Sequence, residues 1–253
     1  MASFIDAFND ALSEKHVILK MLLFAIPVYI SVNLYLSKNM VSFYVFLTLT
    51  LILFLVLMSI GINNICSNKH EIFTFNIIKM FFVLIRMIVA VGPAAIILFG
   101  SGFIIVKNVV LPFDVPNINL YFQIFVWAVV GTILLTSYLS FSKNSNIVDS
   151  YNFAALYEAT SDVLINVIFL IPQLVIFNGI IVGFVWYVMY CINIPVTHHL
   201  FLFYCSVVAV FNVAILASFF AQLAYDVIKG KDDEYRDKFY MSGCKSDNYD
   251  KYK

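Results

Sequence analysis

The sequence predicts an all-α integral membrane protein, a helical bundle of six transmembrane helices. Hydrophobic residues make up 62% of the 253 residues and charged residues only 12%, against about 25% charged residues in an ordinary soluble domain. A soluble domain of this size leaves about a quarter of its unfolded-chain surface exposed, so it could not hide this much apolar surface from water. Lipid is therefore the expected solvent.

Six apolar segments are long enough to cross a bilayer, whose core of about 30 Å needs roughly 20 residues of helix. The third and fifth exceed this minimum, so we expect them to tilt, to kink at proline or to extend into the interface. Together they predict one membrane domain over residues 1–226, followed by a charged cytoplasmic tail over residues 227–253. The predicted spans are Val17 to Leu36, Met40 to Ile62, Met80 to Val106, Ile118 to Phe141, Val163 to Ile192 and Leu200 to Tyr225.

A repeated unit organises these spans. Pro27, Pro93 and Pro172 each interrupt the first span of a pair, and a short run with apolar residues precedes each of those spans. We interpret the chain as three hairpins, each preceded by a short amphipathic helix on the cytoplasmic side. The repeats cover about residues 3–62, 72–141 and 150–225.

The three preceding runs differ in amphipathic character. In the first, Phe4, Ile5, Phe8 and Leu12 recur at helical spacing opposite polar residues. The second, residues 72–78, has little polar contrast and can equally be the first turns of its span. The third places Phe153, Leu156 and Tyr157 on one side and Glu158, Ser161 and Asp162 on the other. We expect these faces to lie in the headgroup plane, with a partner-binding helix as the alternative.

Orientation follows from the basic residues, because cytoplasmic loops hold the excess of Lys and Arg. All but two of the 15 lysines and arginines fall on the side of the termini; Lys38 and Lys107 are the exceptions. Both termini are therefore expected in the cytoplasm. The first 16 residues include Asp6, Asp10 and Glu14 and lack a basic region, so we expect the first span to remain as an anchor rather than to be cleaved as a signal peptide.

Two cations occupy matching places in the first two repeats. Lys20 and Arg86 each precede the proline of their span by about two helical turns. Near the membrane surface such residues can extend to lipid phosphates and anchor the helix. The alternative is a paired cationic site for an anionic lipid headgroup or an anionic substrate between the first two hairpins.

Polar and small residues mark helix contacts in the last hairpin. Amide groups within lipid hydrogen-bond one another, and small residues allow helices to approach closely. We expect either tight packing of the fifth and sixth spans or docking of another subunit, with a polar translocation path as the alternative interpretation of the amides. The intramembrane amides are Asn166, Gln173, Asn178, Asn212 and Gln222, and the small residues are Gly179, Gly183, Ala214, Ala217, Ser218 and Ala221.

Motifs for catalysis and cofactor binding are missing from the sequence. It contains no HExxH, no GxSxG, no P-loop and no dinucleotide-binding glycine motif. We therefore expect no catalytic residue, no cofactor and no metal ligand. The formal net charge of zero argues against binding to nucleic acid, which usually requires a basic face.

Two short segments bear a family resemblance. Ser150-Tyr151-Asn152-Phe153 before a proline-bearing span, and Phe220 to Tyr225 at the end of the last span, resemble prokaryotic multi-pass membrane proteins of unknown function. Their layout is similar to the membrane domain found beside some glycerophosphodiester phosphodiesterases. The resemblance implies a small inner-membrane protein of a bacterium or archaeon; it implies neither phosphodiesterase activity nor particular functional residues.

These observations predict a non-enzymatic inner-membrane protein that binds membrane lipids or a protein partner, as an assembly, scaffold or accessory subunit. Both a homo-oligomer and a complex with another membrane protein fit this interpretation. The alternative is a transporter or permease subunit for a small solute or lipid, since internal repeats and proline-broken spans are typical of transporters.

Overall fold

The computed structural model describes residues 2–67, 69, 71–109 and 117–227, with the backbone alone at residues 153–155. Within these ranges the chain is all-helical and has no strand. Apart from Val227, the predicted tail lies outside the described residues. The helices are α1 (Phe4–Ser13), α2 (Val17–Leu36), α3 (Met40–Cys66), α4 (Ile77–Asn108), α5 (Ile118–Asn144), α6 (Phe153–Cys191) and α7 (His199–Val227), with a 3₁₀ turn at Val148–Tyr151.

The six helices α2 to α7 are long and apolar enough to cross a membrane, which confirms the predicted fold class. α2 has the predicted bounds at both ends, and α3 and α5 each extend about one turn further at their C-terminal ends. The apolar spans were well predicted because a helix in lipid must satisfy all its backbone hydrogen bonds internally.

The last helix lies at the centre of the bundle. α7 contacts α1, α2, α3, α5 and α6, while α4 and α6 lie at the periphery. Val210, Ala214, Ile215 and Ala217 on α7 have no exposed surface. The core therefore surrounds α7 and its main partner, α3.

The predicted second amphipathic helix does not exist. Residues 71–76 are non-helical, and α4 begins only at Ile77. Asn76 caps this start, since its side chain accepts a hydrogen bond from the Lys79 backbone N–H. Ile72 and Phe73 are buried in this non-helical backbone, so their apolar side chains contribute to the core and do not form a surface stripe.

The other two runs also differ from the predicted unit. α1 is a separate helix, whereas the third run forms the first turns of α6. There Leu156 is buried and Tyr157 is 85% exposed, so these residues do not share one face; the side chain of Phe153 lies outside the described residues. The helices of each proposed hairpin do contact each other, but the threefold repeat stays a prediction.

α1 packs against α7, while Ile5 and Leu12 of its apolar stripe are 70% and 49% exposed; its place in the headgroup plane stays a prediction. Ala7 and Ala11 are fully buried, and α1 contacts α7 along its length. The Phe8 ring lies 5.6 Å from the rings of both Phe177 on α6 and Phe211 on α7. An amphipathic pattern cannot distinguish a lipid surface from the apolar side of another helix, and here the chain supplies its own docking surface.

Candidate functional site: a polar cluster at the α1 end

A buried ion pair lies at the end of the bundle where α1 is located and α2, α4 and α6 begin, called here the α1 end. Glu14 directly follows α1, and its side chain is 1% exposed. Its Oε1 atom accepts hydrogen bonds from Lys20 Nζ at 2.7 Å and from the Phe73 backbone N–H at 2.9 Å. Lys20 Nζ also donates to the Phe73 carbonyl at 2.8 Å. The pair therefore satisfies both backbone polar groups of Phe73.

Residues 71–76, called here the strap, cross this end of the bundle between α3 and α4. Asn64 on α3 donates its side-chain N–H to the Glu71 carbonyl at 2.8 Å and accepts from Lys79 Nζ at 3.0 Å. The Phe24 ring on α2 packs on the rings of Phe73 and Phe75, at 5.4 and 5.2 Å between centroids. Polar contacts thus hold the strap to α3 and to the Glu14–Lys20 pair, and aromatic packing holds it to α2.

Further hydrogen bonds join α1 to α7. The Ser3 backbone N–H donates to Gln222 Oε1 at 3.0 Å, and Ser218 Oγ donates to Asp10 Oδ2 at 2.9 Å. Gln222 and Ser218 are two of the residues singled out in the sequence as polar and small positions of the last span. Both hold α1 against α7.

α3, α5 and α7 meet through a third set of contacts at the same end. Asn63 donates to the Lys143 carbonyl at 3.0 Å, and Ser142 donates to Ser59 at 3.0 Å. Lys143 is buried, with its Nζ 5.8 Å from the centre of the Tyr225 ring, a distance suited to a cation–π interaction. The polar side chains of this end thus bond mainly to one another and to nearby backbone groups.

Two buried polar atoms lack a hydrogen-bond partner among the described residues, Glu14 Oε2 and Ser150 Oγ. An unsatisfied buried acceptor is unusual because its desolvation is uncompensated. For a carboxylate this matters more than for a hydroxyl. Glu14 is therefore the charged residue of this cluster with an unsatisfied hydrogen-bond acceptor.

The two predicted cations lie in different environments. Lys20 is only 11% exposed, is bound to Glu14 and lies 3.7 Å from Glu71 Oε1. Arg86 is exposed on peripheral α4. The Lys20 charge is compensated within the protein, so Arg86 is the more available of the two as a candidate anion contact, and the paired site stays a prediction.

The small residues of α7 are buried, but the two glycines of α6 do not pack against them. Ala214, Ala217, Ser218 and Ala221 are all at most 1% exposed, yet an added Cβ at Gly179 or Gly183 on α6 would meet nothing within 4 Å. The close approach is instead at Gly61 on α3, where a Cβ would lie 3.3 Å from Ala217 Cβ. The alternative that the glycine face of α6 docks another subunit stays open.

The intramembrane amides do not form one polar path. Asn178 and Asn212 form a reciprocal pair between α6 and α7, with N–O distances of 3.2 and 2.7 Å. Asn166 donates to the Asp162 carbonyl of its own helix, and Gln173 is exposed on α6. Only one of the predicted interhelical pairs is thus present among the described residues.

We expect Asn178→Leu and Asn212→Leu each to destabilise the bundle more than the double variant does. Each single change leaves one amide without its partner, but the double change leaves no unpaired amide. An interhelical amide pair in lipid is worth about 0.6–2 kcal/mol. A double-mutant cycle in detergent unfolding experiments measures this coupling. Asn166→Leu is the control, because that amide bonds only within its helix; additive effects of the pair would contradict the expectation.

Apart from Lys20, sequence reasoning missed the residues that build this cluster. Glu14 and Lys20 are separated by the turn between two helices, so no helical periodicity relates them, and Asn64 and Glu71 lie on different elements. The only signal was a carboxylate close to the first membrane span. Within the described ranges no group of His, Cys, Asp and Glu side chains could hold a metal ion. The cluster holds the strap backbone in place and pairs the charges of Glu14 and Lys20.

Comparison with known proteins adds no relative to this description. No family model, no curated protein and no solved structure matches the chain.

Proposed function

We propose that this chain is a non-enzymatic membrane protein that binds lipids or a membrane-protein partner, as an assembly, scaffold or accessory subunit. We place it in the inner membrane of a prokaryote, with both termini and the α1 end in the cytoplasm. One observation carries this function above all: α4 and α6 leave most of their apolar surface unused by the rest of the bundle. In the most apolar 18-residue stretch of each helix, only 17% of α4 and 6% of α6 is buried, against 28–44% in the other four spans.

The exposed surface of α4 includes a cation suited to a lipid phosphate. Arg86 has Phe82 one turn before it and Val89 one turn after it, and both are at least half exposed. Tyr151 Oη, in the 3₁₀ turn that follows α5, donates to the Val89 carbonyl at 2.7 Å. This contact supports a position for Arg86 near the membrane surface at the α1 end, where a guanidinium can bind phosphate through two N–H groups.

We expect Arg86→Gln to reduce the retention of anionic lipid. A basic residue near the membrane surface contributes about 1 kcal/mol to attraction of anionic lipid, or about fivefold in occupancy. The measurement is lipid mass spectrometry of the protein extracted in polymer discs from membranes containing phosphatidylglycerol. Lys107→Gln is the matched control, since Lys107 is exposed near the opposite end of the same helix. If the Arg86→Gln and Lys107→Gln proteins retained anionic lipid equally, Arg86 would not be a lipid-binding residue.

The same extraction tests the protein-partner form of the proposal. A second polypeptide present in a fixed ratio supports an assembly or accessory subunit, and its retention should depend on the exposed face of α6. Changing Gly179 and Gly183 to leucine would block close approach of a partner helix without meeting any atom of this chain within 4 Å of the new Cβ. Unchanged partner retention would exclude that face.

A transporter or permease subunit is the second candidate. The observation in its favour is the buried Glu14–Lys20 pair, because charged groups within membrane domains often mark solute or proton pathways. The purified protein in liposomes should then move a solute, and Glu14→Gln should reduce that movement while the protein remains folded. Absence of uptake for every solute class tried, with folding verified, would leave the binding proposal.

A further inference from the structure

We propose that the strap, residues 71–76, is a displaceable closure over the α1 end, and that the Glu14–Lys20 ion pair is the latch that holds it shut. This moving part would serve a protein that binds lipid, a partner or a solute equally well, so it does not depend on which of these functions the chain has.

The latch acts on backbone groups of the strap. Strands and helices satisfy their own backbone N–H and C=O groups, but the strap is non-helical and its centre is buried, so those groups need other partners. For Phe73 both partners are charged side chains, Glu14 for the N–H and Lys20 for the C=O. Loss of the pair would leave both groups unsatisfied in a buried position, and solvation by water after strap movement would satisfy them.

The attachment of the strap is concentrated in a few contacts. Among the described residues, Asn64 supplies the other side-chain hydrogen bond from a helix to the strap backbone, at Glu71. Apolar contacts of Ile72 with α3, and of Phe73 and Phe75 with Phe24, complete the closure. A short segment with few anchors opens locally at lower free energy than the helices it covers.

At the latch one ammonium group lies between two carboxylates. Lys20 lies 2.7 Å from Glu14 and 3.7 Å from Glu71, so two carboxylates share one ammonium group. Lys79 nearby is bound to Asn64. Glu14 Oε2 is buried without a hydrogen-bond partner among the described residues, whereas the Glu71 side chain is about half exposed. In a Glu14→Gln variant the Glu71 carboxylate, 3.7 Å from Lys20 Nζ, is left to attract Lys20 away from the Phe73 carbonyl.

Movement of the strap would uncover a defined surface. Beneath it lie the Glu14 carboxylate and Gly61 on α3, with Ala217 of α7 beside Gly61. The uncovered Glu14 Oε2 atom would be an acceptor for a hydrogen-bond donor from the aqueous side. Opening thus converts a closed end of the bundle into a polar recess that contains the Glu14 and Lys20 side chains.

Cysteine accessibility tests the latch. Thr74→Cys places a thiol of similar size on the strap at a position that is 7% exposed, in a chain whose four natural cysteines are alanine. A second chain carries Ser150→Cys as the control thiol, since Ser150 is 2% exposed at the same end and its hydroxyl has no hydrogen-bond partner among the described residues. The rate of labelling by a membrane-impermeant maleimide is measured in lipid discs.

We expect Glu14→Gln to accelerate labelling of the strap thiol at position 74 by about tenfold or more and to leave the control thiol at position 150 unchanged, because labelling follows the population of the open form. Lys20→Arg keeps the charge and should keep the strap thiol slow to react. Glu71→Gln removes the exposed carboxylate and should change the rate by less than about threefold.

Two results would overturn the latch. One is a strap thiol that reacts in the Glu14→Gln chain at the same rate as in the chain that retains Glu14. The other is parallel acceleration of the strap thiol and the control thiol, since the α1 end would then open as a whole and not at the strap alone.

Discussion

Lys20→Met is expected to destabilise the bundle by about 3–5 kcal/mol, because it leaves the buried Glu14 carboxylate without its counter-ion. The Glu14 side chain is 1% exposed, and its second oxygen already lacks a partner among the described residues. In the closed bundle this carboxylate is shielded from bulk water, so solvation cannot compensate its charge. Reversible unfolding in mixed detergent micelles measures the loss.

Two variants make this expectation specific to the ion pair. Arg86→Met removes a cation at the corresponding position of the predicted second repeat, and because Arg86 is exposed the change should stay within about 0.5 kcal/mol. The double variant Glu14→Gln, Lys20→Met should recover part of the stability, since it removes both charges. Equal stability of Lys20→Met and wild type would show that Glu14 is not buried as a charge.

Gly61→Leu is expected to destabilise the bundle by about 1–3 kcal/mol, because the site has no room for a side chain. A Cβ at Gly61 would lie 3.1 Å from Ile72 Cγ2, 3.2 Å from the Ile72 carbonyl oxygen and 3.3 Å from Ala217 Cβ. The remaining atoms of leucine would have to separate α3 from α7 or displace the strap. The same unfolding experiment measures the effect.

Gly179→Leu is the matched control for this second expectation. It introduces the same side chain on a membrane helix, at a glycine that faces no atom of this chain within 4 Å of the new Cβ. Its stability in a monomeric preparation should equal that of wild type. A large loss at Gly179 with none at Gly61 would place the tight helix contact on α6, as the sequence motif alone suggested.

The membrane spans could be predicted from the sequence because they depend on local properties. Length and hydropathy decide whether a helix can span a bilayer, and the bounds of α2 were recovered at both ends. Packing partners depend on which helices meet, which hydropathy does not encode. The Gly179–Gly183 motif therefore predicted a close contact on α6, whereas the close contact is between Gly61 and Ala217.

The candidate site was less predictable than the spans, for a related reason. Lys20 was recognised as a cation near the membrane surface, but its partner Glu14 lies in the turn before the span and its other partner, Phe73, lies in a distant segment. The second run was assigned to a helix from its apolar residues. Burial of Ile72 and Phe73 in non-helical backbone became possible only because charged side chains from elsewhere satisfy that backbone.

The central position of α7 has a consequence for how the protein is made. α7 is the last of the described helices, so α1, α2, α3, α5 and α6, which all pack against it, are synthesised before it. Until α7 is inserted, the faces of α1, α2 and α3 that it covers can contact only lipid or one another, and Asp10 lacks its Ser218 donor. The contacts of α1, α2 and α3 with α7 can therefore form only after α7 has been inserted, whereas the contacts between α2 and α3 and between α4 and α5 can form earlier.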